Sequence, residues 1–567
     1  MFNKVYSNIE HNDFLQSPSG GVAGFFETEV CIGGLLESLL PLLIQQVKVN
    51  LTVRQDKDIT SAMAKQSTSL LECPLLVAAV FITGIGGTFQ YGFNIAVMTS
   101  PSLFIKELVN TTSTERYGLP LEEGQLTLIW SFLVSIFCVG GLLGSLLAVQ
   151  MGKKYGRKQC LLMNNLVAIV AAVLMILSKR AVSFEMIMVA RFLYGVNTGV
   201  ILTVHPMYLV ESAPKNLRGT VGVTTATFSS LGKFFAQLLG IKELLGTEDL
   251  WVWLLGFSGF VALFQLFTLP LLPESPRYLL LNRGDQEGFE RAVKRLWGSR
   301  DYSVETQEML QEKIELQDIK IHSVMELLQS RPLRWVVLTV IVNFVTIQLC
   351  GINAVYFYST EVFTAAGIPK NQLNYVAFGT GLCEVISSVI CAVAVGSIGR
   401  KKLLIGGYGC MAVTQMLLTI TLNLQDHVKW MPYCSIVLIF LSIFSFSCGP
   451  SGVTMSLLAE FFTQSYKPAG YALACSINWV GLFVVGMVFP LLVKHLKSYC
   501  FLIFLFFTIA LATFVGINVP ETDNLSPLEI QEAFRKMHTK TEKGGGPATP
   551  CGTTDNEIHG LKCQTKL

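Results

Sequence analysis

Charge is scarce in this chain: Asp, Glu, Lys and Arg make up 14% of its 567 residues, and the formal net charge is only +3. Neither a basic block nor a basic patch interleaved with aromatics occurs, which excludes a nucleic-acid partner. The fourteen cysteines include no Cys-x-x-Cys pair. Cys138, Cys160, Cys350, Cys383, Cys391, Cys448 and Cys475 stand singly in apolar runs and read as small buried hydrophobes, not as disulfides or metal ligands. No Gly-x-x-x-x-Gly-Lys-Ser/Thr loop is present to couple the chain to ATP. No nucleophile with a base emerges, so the sequence implies no enzyme, no metal and no cofactor, and no obligate protein partner is evident. What the chain has instead is apolar surface: 51% hydrophobic residues and a mean hydropathy of +0.52 place it in a bilayer.

A bilayer core takes roughly 20 apolar residues per helix. On that ruler six spans run near Pro74 to Val97, Leu126 to Val149, Cys160 to Ser178, Phe184 to Leu209, Thr220 to Ile241 and Trp251 to Leu272. Six more run near Trp335 to Tyr358, Tyr375 to Ser397, Leu403 to Leu424, Cys434 to Leu458, Tyr471 to Val493 and Cys500 to Val519. The expected organisation is an N-terminal extension (1–72), a six-helix half (73–273), a polar linker (274–334), a second six-helix half (335–520) and a tail (521–567). The linker, with Arg283, Asp285, Arg291, Lys294, Arg295 and a charged run from Glu305 to Lys320, reads as short amphipathic helices on the membrane surface.

Lys and Arg gather after span two (Lys153, Lys154, Arg157, Lys158), span four (Lys215, Arg218) and span eight (Arg400, Lys401, Lys402). The positive-inside rule makes these loops, the linker and both termini cytosolic. The polar loop after span one is then outside, in keeping with the glycosylation sequon at Asn110. A second sequon at Asn50 would face the cytosol. Val30 to Val47, interrupted by Glu37 and Pro41, is a poor span and a poor signal peptide, and is expected to be interfacial or disordered. Met63 offers a second possible start, and the tail from Lys540 reads as disordered.

The halves repeat one another. Gly-Lys-Lys-Tyr-Gly-Arg-Lys (Gly152 to Lys158) returns as Gly-Ser-Ile-Gly-Arg-Lys-Lys (Gly396 to Lys402), Glu211 returns as Glu460, and Pro273-Glu274 returns as Pro520-Glu521, all with nearly the same offset. A duplication of this length in so apolar a chain points to two halves of a membrane transporter with a pathway between them. Further motifs follow in order: Arg191 with Gly195 and Gly199, Pro206 to Glu211 continuing to Arg218, Pro273 to Arg277, Gln348 to Asn353, Gly449-Pro450, and Asn478-Trp479. This ordered set resembles the facilitative hexose transporters of solute carrier family 2, in the sugar porter branch of the major facilitator superfamily, over roughly Leu71 to Phe534.

The resemblance implies an all-α membrane protein with the major facilitator fold: twelve transmembrane helices in two six-helix halves, with cytosolic linker helices. It also implies that Arg157, Glu211, Arg218, Glu274, Arg277, Arg400, Glu460 and Glu521 form gating ion pairs that hold the cytosolic side shut in one state. A sugar hydroxyl both donates and accepts, so its site calls for neutral amides and an aromatic face. By resemblance the substrate residues are Tyr91, Gln237, Gln348, Asn353, Glu384, Met455, Asn478 and Trp479. Gln348 and Asn353 are about 140° apart on an ideal helix, so they share a cavity only if span seven bends, for which Gly351 gives the means.

Departures from the glucose-carrying pattern are Ile347 before Gln348, Met455 where a Trp is usual, Glu384 where an Asn is usual, and Leu482 in place of a second Asn. They suggest a roomier pocket of the fructose-preferring class II. Glu384 also resembles a urate-carrying relative. With no Lys or Arg in the neighbouring run, the sequence favours a neutral, protonated Glu384. Asn94 follows Tyr91-Gly92-Phe93 where proton symporters carry an Asp, which implies passive uniport. The expectation is therefore hexose transport, of fructose or glucose, down its gradient at the plasma membrane, with an endomembrane as the alternative location. A urate or organic-anion carrier and a non-transporting sugar sensor remain as alternatives.

Overall fold

A computed structural model describes residues 73–542 except 119, 215–216, 299–305, 312–313, 315–321, 370–371, 426, 429, 464, 523–524 and 526. The expectations for residues 1–72, including Val30 to Val47 and Asn50, for most of the run from Glu305 to Lys320, and for the tail beyond Glu542 lie outside the described residues.

The described residues are helical, with no strand among them. In lipid a backbone must bond within itself, and helices of this length do so. Span one is two helices, Pro74–Gly86 and Thr88–Ala96. Spans two to six are Glu123–Tyr155, Arg157–Ser178, Phe184–Ser212, Arg218–Leu239 and Trp251–Thr268. Span seven is Arg334–Leu349 and Ile352–Phe357, span eight Leu373–Ile398 and span nine Arg400–Leu424. Span ten joins Met431–Phe446 to Gly452–Phe461 through a wide turn at Pro450, and spans eleven and twelve are Lys467–Leu496 and Cys500–Asn518.

Length and composition alone single out only ten membrane-crossing stretches among the described residues. One of these, Lys467–Asn518, is spans eleven and twelve together, turned at Lys497 where φ is positive. Span five is too polar to qualify, with Thr220, Thr224, Thr225, Thr227, Ser229, Ser230, Lys233 and Gln237 along it. That polarity becomes meaningful once its neighbours are known.

Small residues set the helix spacing. A Cβ at Gly140 or Gly144 would meet the Phe192 or Val196 carbonyl oxygen of span four at 2.1 Å, so spans two and four touch backbone to backbone. The halves meet along two seams, span two against span eleven and span five against span eight. Trp479 of span eleven lies over Gly141 of span two, where a Cβ would come within 2.4 Å of its ring.

Outside the spans, Gln286–Trp297 forms an amphipathic helix of the linker. Asp285 caps it by accepting from the Gly288 amide, and it buries Phe289, Ala292, Val293, Leu296 and Trp297. Trp297 fastens it by donating its indole N–H to the Ser212 carbonyl at 2.7 Å. Val324–Gln329 follows behind a Ser323–Glu326 capping box. One expectation needs correction: the segment after span one is no loop but carries a helix, Ser102–Tyr117. The tail begins with a helix, Pro527–Glu542, whose His538 stacks on Trp335 at 3.7 Å.

Candidate functional site

The duplicated charges build two matching clusters. Gly156 and Gly399 turn the chain with φ of +95° and +90°, conformations costly for any side chain, and deliver the first turns of spans three and nine. Arg157 pairs with Glu211 at 2.8 Å and Arg400 with Glu460 at 3.2 Å. Each glutamate's second oxygen takes a hydroxyl, from Ser275 in the first half and Thr522 in the second. Glu274 accepts the backbone amides of Arg157 and Lys158, and Glu521 accepts that of Lys401. A carboxylate at a helix N-terminus satisfies orphan amides and the local dipole. Burial pushes the Glu274 carboxyl up, against the pull of those amide hydrogen bonds. Lys158 and Lys401 then donate to carbonyls at the ends of spans six and twelve.

The Arg157–Glu211 and Arg400–Glu460 pairs each close within their own half, and Glu274 and Glu521 accept backbone amides at the starts of spans three and nine. Arg218 donates to the Ala213 carbonyl, and Arg277 sits on the short turn Pro276–Tyr278. Burial separates the two clusters energetically. The Arg157–Glu211 side chains are 10% and 12% exposed, those of Arg400–Glu460 21% and 23%. Glu211→Ala is expected to destabilise the purified protein by about 3 kcal/mol, and Glu460→Ala by only about 1 kcal/mol. Equal losses of melting temperature would show that burial does not set their difference.

At the opposite end the halves are joined directly. Lys106 pairs with Glu361 at 2.8 Å, Thr360 donates to the Thr99 carbonyl at 2.9 Å, and Asn374 donates to that of Gly240 at 3.1 Å. Tyr375 donates to Glu243 at 2.6 Å, which holds that exposed carboxyl below its usual range. Just inside these ties lies a small polar cleft whose lining includes Ser100, Gln237, Ser359 and Asn374.

Between the two ends lie the amides. Span seven breaks at Gly351, which has φ +87° and leaves Phe504 only 2.5 Å from where a Cβ would stand. The break brings Asn353 round to Gln348, to whose side-chain oxygen it donates at 2.7 Å, and Gln348 donates to Asn478 of span eleven at 2.8 Å. The Cys350 carbonyl, freed from the helix, accepts from Gln415 of span nine at 2.6 Å. The three neutral amides expected to recognise hydroxyls thus form one chain.

Trp479 is placed differently. It is buried in the seam, gives its indole N–H to Ser145 of span two at 2.9 Å, and meets Tyr91 edge-on at 6.3 Å. Met455 is 54% exposed. Asn94 donates to Ser258, while the buried Arg191 donates to the carbonyls of Asn94 and Val134. Asn110 is half-buried on its helix and accepts the Leu121 amide, and Thr112 of the sequon is fully buried.

Glu384 overturns an expectation. The sequence favoured a neutral acid for want of a nearby cation, yet Lys233 of span five meets it across the seam at 2.7 Å, with side chains 10% and 8% exposed. Lys233 also lies 4.1 Å from the centre of the Tyr356 ring. One turn along both helices, Gln237 donates to Thr380 at 3.1 Å. Lys233 was missed because it is distant in sequence, but a lone lysine four residues before Gln237 in a span was the available signal.

Comparison with known proteins places this architecture. The family model described as "Sugar (and other) transporter" matches residues 79–534. Mouse solute carrier family 2, facilitated glucose transporter member 9, is 45% identical over 463 residues, covering 82% of this chain and 86% of that protein. Human member 11 is 39% identical over 83% of this chain and 95% of its own length, and human member 5 is 38% identical over 85% and 96%. Over the whole alignment member 9 shares more with this chain than member 11 does. The inward open conformation of the xylose transporter XylE from E. coli has the same fold, with a TM-score of 0.66 at 20% identity over 81% of this chain and 99% of that one.

Proposed function

Because the chain belongs to the sugar transporter family of the major facilitator superfamily, within the facilitative solute carrier family 2, we propose that it carries hexoses, fructose or glucose, passively down their gradient by alternating access. The Gln348–Asn353–Asn478 chain carries this reading: three neutral amides, each able to donate and accept, suit a substrate made of hydroxyls. Asn94 supports uniport, since an amide cannot cycle a proton. The ties around Lys106 and Glu361 support an inward-facing state, with that end extracellular and the Arg157 and Arg400 clusters cytosolic. The same orientation puts both termini in the cytosol, makes Asn110 the candidate glycosylation site, and fits a plasma-membrane protein.

One observation favours a second reading. Lys233 supplies a buried cation on the seam between the halves, which a urate or other organic anion could use. Counterflow of labelled fructose, glucose and urate into proteoliposomes at two pH values separates the two. Saturable hexose flux, unchanged by pH, is expected; saturable urate flux without hexose flux would refute the hexose reading.

A further inference from the structure

We propose that Lys233 is a specificity-determining residue: by pairing with Glu384 it keeps a charged carboxylate acceptor on the seam between the halves, and that acceptor selects a solute with a free hydroxyl donor. This rests on the hexose reading and deepens it.

Four polar side chains meet here from three spans: Lys233 and Gln237 on span five, Glu384 on span eight and Tyr356 on span seven. Glu384 uses one oxygen on Lys233, and its other oxygen is buried with no hydrogen-bond partner. The Gln237 side-chain oxygen is likewise buried and unpartnered, and Tyr356 lies beside the Glu384 carboxylate. Buried polar atoms are normally satisfied, and two orphaned acceptors beside one ion pair are what a site looks like when its ligand supplies the missing bonds. Both orphans, the Glu384 and Gln237 oxygens, can only accept. A solute seated here must therefore bring donors, and a hydroxyl given to an ionised carboxylate makes a charge-assisted bond, stronger than one to an amide.

Lys233 is what makes that carboxylate tenable. A lone ionised group in the membrane interior is costly, and one partner removed leaves the other uncompensated. Position 384 by itself could not offer a charged acceptor; the pair can. Lys233 keeps further N–H donors, so the subsite stays electrically balanced while it binds a neutral polyol.

The test uses purified full-length protein and four forms: wild type, Lys233→Met, Glu384→Gln and the double variant. Ligand-induced thermal shift and counterflow are read for the hexose that wild type binds best and for its deoxy and deoxyfluoro analogues. Fluorine keeps the size and weak acceptor character of a hydroxyl but cannot donate. At one ring position wild type should bind both analogues about tenfold or more weaker than the parent, the worth of one charge-assisted bond. Each single variant should melt lower than wild type, and the double variant should regain the melting temperature while losing that discrimination. A deoxyfluoro analogue as good as the parent at every position, or a double variant that discriminates as wild type does, overturns the inference. Wild type that binds no hexose overturns the transport reading and this contact with it, whereas hexose binding without the analogue gap overturns this inference alone.

Discussion

Gln348→Ala should cut hexose uptake by about 100-fold while the protein still reaches the membrane, the cost expected when buried hydrogen bonds to a polar substrate are lost. Gln348 is the middle of its chain, accepting from Asn353 and donating to Asn478. Truncation leaves both outer amides without their partner as well as removing a contact to the solute. Gln348→Glu makes a sharper control, because it keeps the acceptor for Asn353 but meets the Asn478 oxygen with an acceptor. It should be nearly as damaged as the alanine variant. Labelled hexose uptake normalised to surface protein decides the matter, and uptake near wild type in Gln348→Ala would remove span seven from the binding site.

Gly351→Val should be worse still, because it strikes the fold. A β-branched residue at φ +87° costs about 1–3 kcal/mol in backbone strain, and crowding the packed Phe504 ring adds about as much again. Set against stabilities of about 5–15 kcal/mol, that loss should leave little monodisperse protein after detergent extraction. Adding Phe504→Ala relieves the crowding but not the strain, so it should restore the melting temperature only in part. Full recovery would show that the positive φ is not required.

How much of this was legible in the sequence depended on how local the cause was. The break in span seven could be anticipated from three residues, because Gln348 and Asn353 cannot share a helix face and Gly351 lies between them. The repeated glycines, glutamates and lysines located both charged clusters, since each motif recurs at nearly the same offset. What they bind to was harder. Glu274 looks like an ion-pair partner by charge, and only the turn at Gly156 shows that it faces amides instead. Helix Ser102–Tyr117 was hidden by its polarity, which reads as loop until the chain around it is folded. The Lys233–Glu384 pair joins residues 151 positions apart, on different halves. Within either span taken singly, each is an expensive charge with no partner, and only the seam between spans five and eight supplies one. Trp479 was expected at the substrate site; its N–H is given to Ser145 on the opposite half, where it helps hold the seam.

The two charged clusters have a consequence for origin. Each one closes within its own repeat and the segment just after it: arginine and glutamate come from the six helices, hydroxyl and capping carboxylate from the chain that follows the sixth. An ancestor with a single copy of the repeat would already have had its helix ends satisfied, so gene duplication did not have to invent that part of the machine. What had to diverge afterwards was the inner face, where Lys233 arose on one copy and Glu384 on the other. Such a pair has no counterpart within either copy, so it could be selected only once the two were joined and served one solute.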